Sequence, residues 1–189
     1  NVILAGDFRE EDVDFGKTRT PLFPRQIFTS NNPNPVGLVD VSPNSDGGIR
    51  TYSFGTTFND TDYYKLGIEA LMVYADINRD SVDKIEDVSS PYFKLGNYQI
   101  KKDAINSFLI NYYGEEALFP VYDFAEVIDD ASYTTVMEQE AGFPINAFED
   151  PEFESGWLYE GVFKDKIAIV GATMPALKDF YKTPFLNNK

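Results

Sequence analysis

The apolar positions of this chain fall into short runs and short alternations, separated by polar stretches rich in Asp, Asn, Gly and Pro. Near the C-terminus, Ile167-Ala-Ile-Val170 is an unbroken apolar run bounded by Asp165-Lys166 on one side and Gly171 on the other. A strand covered on both faces needs such a run, so it predicts a central buried strand of an α/β sheet. Val2-Ile3-Leu4-Ala5, ending at Gly6, predicts a second buried strand. Residues 7–35 are mostly polar, with prolines at 21, 24, 33 and 35 and phenylalanines at 8, 15, 23 and 28. They read as a long irregular segment, either a surface loop pinned by its aromatics or a lid.

Further along, Gly37–Val41 and Ile49–Thr56 read as strands joined by the turn Ser42–Gly48. Tyr64, Ile68, Leu71, Met72 and Ala75 recur at helical spacing behind Asp62, predicting a helix over Asp62–Ile77 with Asp62 as N-cap. Tyr92–Lys101 predicts a hairpin turning at Gly96-Asn97, with Leu95 and Ile100 inward. Ile105–Tyr113 predicts a strand with Phe108, Ile110 and Tyr112 on one face and Asn111 on the other. Short helices are expected around Phe124–Ile128 and Val136-Met137. Another should start at Asp150-Pro151 and bury Phe153 and Trp157. The sum is an α/β fold: a mixed sheet with a central buried strand near Ile167–Val170, hairpins and flanking helices.

Composition narrows the functions available. The 189 residues suffice for one domain over 1–189 with a real core, and no apolar run approaches the roughly 20 residues that span a bilayer. The sequence does not start with Met, and its ends look like cuts in a longer protein. A net charge of −15 with scattered Lys and Arg argues against nucleic acid and anionic lipid as partners. The absence of cysteine excludes disulfides and thiolate chemistry within the chain. The absence of histidine excludes Ser-His-Asp and Cys-His catalysis and the nitrogen ligands of a usual catalytic zinc site.

Three stretches remain as candidate chemistry. Asp46-Gly47-x-x-Arg50 is either a turn closed by its own ion pair or a ligand contact. Asp76-Ile-Asn78-Arg-Asp80 offers oxygens at alternating positions, as a calcium loop does, yet Ser81 stands where that loop needs Gly. A solvated acidic connection is the better reading there. Carboxylate pairs such as Asp46 with Asp179, or Asp40 with Asp179, define a hydrolase alternative, because paired carboxylates can divide acid and base roles. The turn Gly171-Ala-Thr173 offers amide donors beyond the expected central strand. No cofactor is implied.

Three separated blocks carry a resemblance. Phe163-x-Asp-Lys-Ile-x-Ile-x-Gly-Ala-Thr173 with Asp179 and Thr183-Pro184, then Gly37-Leu-Val-Asp-Val-Ser-Pro-Asn-Ser-Asp46-Gly47-Gly-Ile-Arg50, then Ile110-Asn111-Tyr112-x-Gly114 with Phe119-Pro120, resemble CHASE2 domains. These are extracytoplasmic sensory domains of bacterial signalling receptors. The resemblance implies a domain on the outer face of the cell membrane, tethered by flanking transmembrane segments absent from this chain. The N-terminal βα portion of the family fold would also precede it. It implies an unidentified small-molecule or protein signal and a cytoplasmic output that is a nucleotide cyclase, a histidine kinase or a Ser/Thr kinase. A homodimer would amplify a small shift at the domain interface. The matching positions Asp46, Arg50, Asn111, Tyr112, Thr173 and Asp179 are the candidate ligand-binding residues, with the crevice beyond Val170 as the expected place of the signal. The alternatives are a carboxylate-dependent soluble hydrolase and a calcium-dependent or carbohydrate-binding adhesion module.

Overall fold

The computed structural model describes residues 2–13, 16–24, 35–114, 119–128, 132–172 and 181–184. The chain divides into two compact units, Asn1–Tyr112 with Phe180–Lys189, and Tyr113–Asp179. The mixed α/β class is borne out: small sheets dominate, with few helices.

In the first unit, β1 (Leu4–Val13) pairs antiparallel with β2 (Gly16–Leu22) and, over Leu4–Gly6, parallel with β3 (Val36–Leu38). The expected N-terminal strand therefore exists but runs on into the polar stretch. Residues 7–13 and 16–22 form a ribbon instead of an irregular loop. The ribbon gave no period-two signal because β2 is exposed along its whole length, so neither face had to be apolar. At its base Phe8 meets Phe23, Phe58 and Tyr63, with ring centroids 5.2 to 5.7 Å away. Phe15 and Phe28 lie outside the described residues.

β4 (Thr51–Ser53) pairs antiparallel with β9 (Ser107–Leu109), while β5 (Gly55–Phe58) and β6 (Thr61–Tyr64) form a hairpin. That hairpin displaces the expected helix start. Asn59 and Asp60 take φ of 49° and 59°, the left-handed pair that makes a two-residue turn match strand twist. Asp62 thus lies in a strand and caps no helix; its carboxylate accepts from the Thr57 hydroxyl at 2.6 Å. Helix α1 (Leu66–Tyr74) begins after Lys65 and buries Ile68 and Met72, as the spacing predicts. Gly55 is needed where it stands, because a Cβ there would collide with the Tyr63 carbonyl and the Ile85 side chain.

The expected hairpin is present as β7 (Tyr92–Leu95) and β8 (Tyr98–Lys101), turning at Gly96-Asn97. The core gathers Phe54, Tyr64, Ile68, Met72, Ile85, Phe93 and Leu95, with Phe54 and Phe93 stacked at 4.0 Å. The predicted strand over Ile105–Tyr113 shortens to β9, which ends at Leu109.

The second unit holds α2 (Phe124–Val127) and α3 (Val136–Ala141), both near the expected positions. Thr135 and Glu138 close α3 with a reciprocal capping box. Tyr122, Trp157 and Phe163 pack edge to face, with centroids 4.9 to 6.0 Å apart. The helix expected from Asp150-Pro151 is absent. Asp150 does cap the amides of Glu152 and Phe153, but Glu154 and Gly156 turn to φ of 47° and 96°, and the chain continues as turns. Phe153 is consequently exposed.

The expected central strand does not form. Ile167–Val170 has no regular structure, and Ile167, Ile169 and Val170 are 52%, 81% and 74% exposed. An apolar run satisfies only half the requirement for a buried strand, since its amides also need a ladder. No strand among the described residues pairs with it.

Candidate functional site

The convergence of separated motifs lies at the turn 42–50. Asp46 accepts the Gly48 amide at 3.1 Å on Oδ1 and grips Arg50 with both oxygens, at 2.9 and 2.7 Å. Gly47 supplies the turn with φ 78°, the left-handed region a side chain resists. The Asn44 amide donates to the Gly48 carbonyl and its side chain accepts the Arg50 amide at 3.0 Å. The internal-ion-pair reading of Asp46-Gly47-x-x-Arg50 is therefore the one the geometry realises.

The turn is also held from outside. Tyr112 donates its hydroxyl to the Ile49 carbonyl at 2.8 Å, and the Ile110 amide donates to the Arg50 carbonyl at 2.9 Å. The Ile49 amide donates to the Lys182 carbonyl at 2.9 Å, extending a parallel bridge between Gly48 and Lys182. Asp46, Arg50 and Tyr112 thus meet around one turn, with the segment leading into Thr183-Pro184 beside them. Asn111 is exposed in the irregular segment that follows β9. Thr173 and Asp179 lie outside the described residues, and the crevice expected beyond Val170 has no strand to open from. Sequence reasoning missed Asn44 and Lys182. The Pro43-Asn44 step carried a turn signal for the first, but Lys182 acts through its backbone and left none.

Electrostatics follow from these contacts. The Arg50 guanidinium, followed by the Gly48 amide, holds the Asp46 carboxyl well below the usual carboxylate range, and Asp46 in turn raises Arg50. Burial pushes the Tyr112 hydroxyl up, against the opposing charge of Arg50. A carboxylate kept ionised by a bidentate guanidinium is a poor general acid, so Asp46 does not suit the acid half of a hydrolytic pair. Asp40 is likewise engaged: Lys65, only 3% exposed, places Nζ 2.6 Å from its carboxylate and 2.5 Å from its carbonyl.

The acidic connection behaves as a capped turn. Asn78 Oδ1 accepts the Asp80 amide at 3.0 Å, and the Ser81 hydroxyl donates to the Asn78 carbonyl at 2.6 Å. Asp76 takes φ 51° just beyond α1. Arg79 turns back to Glu69 at 2.6 Å. Among the described residues, no group of three carboxylates could hold a metal ion, and no helix is long and apolar enough to cross a membrane.

The turn is a set of polar contacts joining segments distant in sequence. A family model, the CHASE2 domain, matches residues 2–187, so the match runs through both compact units. The chain belongs to the CHASE2 family, extracytoplasmic sensory domains of signalling receptors. No curated protein and no solved structure matches the chain.

Proposed function

We propose that residues 1–189 act as one sensor module on the outer face of a bacterial membrane, passing a signal to a cytoplasmic nucleotide cyclase, histidine kinase or Ser/Thr kinase. The observation that carries this reading is the family match across residues 2–187. The turn around Arg50 supplies the relay. It links the Tyr112 end of β9 to the backbone of Lys182, and the C-terminal segment is where receptors of this family continue toward the membrane. A ligand biases such a receptor only through different affinities for two arrangements. A contact that alters the Asp46–Arg50 fork shifts the Ile49–Lys182 bond directly, because both sit in one turn. Asn111, exposed beside Tyr112, extends the surface a small-molecule or protein signal would meet, while Thr173 and Asp179 are ligand-binding candidates on the sequence resemblance alone. Exchanging this domain between two receptors of the family, and measuring output across media of differing solutes, tests the assignment. The response profile should travel with the domain. A profile that stays with the cytoplasmic half would overturn it.

A further inference from the structure

Among the described residues, one edge of β1 has no strand partner beyond Gly6. Bonds along β1 fix which residues face outward: the Leu4 amide donates to the Pro35 carbonyl, the Val39 amide to the Gly6 carbonyl, and the Phe8 amide to Asp7 Oδ1. Even-numbered residues therefore turn their backbone groups away from β2. β3 covers that edge only as far as Gly6. Beyond Gly6, β2 is the only described strand that pairs with β1 at Glu10 and Asp12, and none lies on the opposite edge. A two-stranded ribbon without an apolar face is marginal in water, so an added strand would stabilise it.

We propose that two copies join antiparallel along β1, placing Glu10 opposite Glu10 of the second copy. The ladder then reads β2–β1–β1–β2 across both copies. Parity selects this kind of register, since outward-facing residues must oppose outward-facing residues. Charge selects the particular one. Arg9 of each copy stands opposite Glu11 of the other, giving two opposite-charge pairs on one face. Sliding by two residues either way sets Arg9 against Arg9 or Glu11 against Glu11. On the other face, the central Glu10 pair is flanked by Lys17 and Arg19, each already 3.5 Å from its own Glu10. The β2 edge is the poorer candidate: it carries Lys17 and Arg19 with no acid, and Pro21 lacks an amide. This joint is independent of the role given to Arg50.

The test uses the full-length receptor in membranes. This chain has no cysteine, so Glu10→Cys introduces its only thiol. Facing Cα atoms across a hydrogen-bonded antiparallel pair lie about 5.5 Å apart, within disulfide range. Thr18→Cys on β2 serves as control, three strand spacings or roughly 14 Å from its copy. Under mild oxidation, Glu10→Cys should yield a cross-linked dimer above the background of the unsubstituted receptor, and Thr18→Cys should not. Adding Arg9→Glu should slow cross-linking roughly tenfold, and further adding Glu11→Arg should restore it. No dimer at residue 10, equal cross-linking at residue 18, or indifference to both charge changes would overturn the proposal. Receptor abundance in each variant confirms that these exposed substitutions leave folding intact.

Discussion

Replacing Arg79 by Met would strand a buried carboxylate. Glu69 is 2% exposed on α1, and its Oε2 lies 2.6 Å from the half-exposed Arg79 guanidinium. Removing one partner of a buried pair typically costs about 3–5 kcal/mol. Arg79 is half in water, and Glu69 can relieve the strain by taking up a proton, so a loss below that range, about 2 kcal/mol, is expected. For a chain of this size that lowers Tm by roughly 4–8 °C. Burial already pushes the Glu69 carboxyl up, with Arg79 opposing. A carboxyl whose folded pKa exceeds its unfolded one favours the native state most at low pH. That contribution is lost as pH rises from the unfolded pKa through the folded one. Glu69→Gln should therefore flatten this part of the pH profile and cost less than Arg79→Met at neutral pH. The double variant should recover part of the Arg79→Met loss. Far-UV circular dichroism in urea is the suitable assay, because the single tryptophan, Trp157, lies in the other unit. If Glu69→Gln proved as damaging as Arg79→Met, or Arg79→Met had no effect, the desolvation argument would fail.

The remaining predictions are simpler. Phe93, fully buried and stacked on Phe54, should cost about 3–5 kcal/mol when cut to Ala, measured as a fall in the urea midpoint. Burial, with the nearby Asp62 charge, pushes the Tyr64 hydroxyl up to about 12. The stability tied to its neutral form is present below the ordinary phenol range and disappears as pH climbs from about 10 toward that value. Alkaline ultraviolet titration should show a late-ionising tyrosine that Tyr64→Phe removes. Gly55→Ala should destabilise the β5–β6 hairpin region, because the Tyr63 backbone cannot yield to the added methyl; a lowered thermal midpoint would register it.

Where burial imposed a pattern, the fold was legible in sequence. Leu95 and Phe93 alternate with exposed neighbours, and Gly96-Asn97 announces the turn, so the β7–β8 hairpin could be placed residue by residue. The inner face of α1 was equally readable, but not its start, because the left-handed Asn59-Asp60 turn claimed Asp62 for a strand. β2 is exposed along its whole length and therefore carries no apolar periodicity to read. Asp150 failed as a helix signal for a different reason: the cap is real, yet positive φ at Glu154 and Gly156 stops propagation. Ile167–Val170 had the composition of a buried strand without a described ladder to complete it. At the site, Asp46 and Arg50 were readable because their spacing lets a carboxylate and a guanidinium close one turn. The Lys182 contribution is purely backbone and was invisible.

The proposed relay through the turn at Arg50 is tested most directly by the output of the full-length receptor carrying Arg50→Lys or Tyr112→Phe. Lysine keeps the charge but cannot form the two-pronged grip on Asp46, and phenylalanine keeps the ring but frees the Ile49 carbonyl. Both variants should retain the far-UV spectrum of the parent chain while shifting basal output several-fold. Output indistinguishable from the parent in both, at equal receptor abundance, would contradict the account.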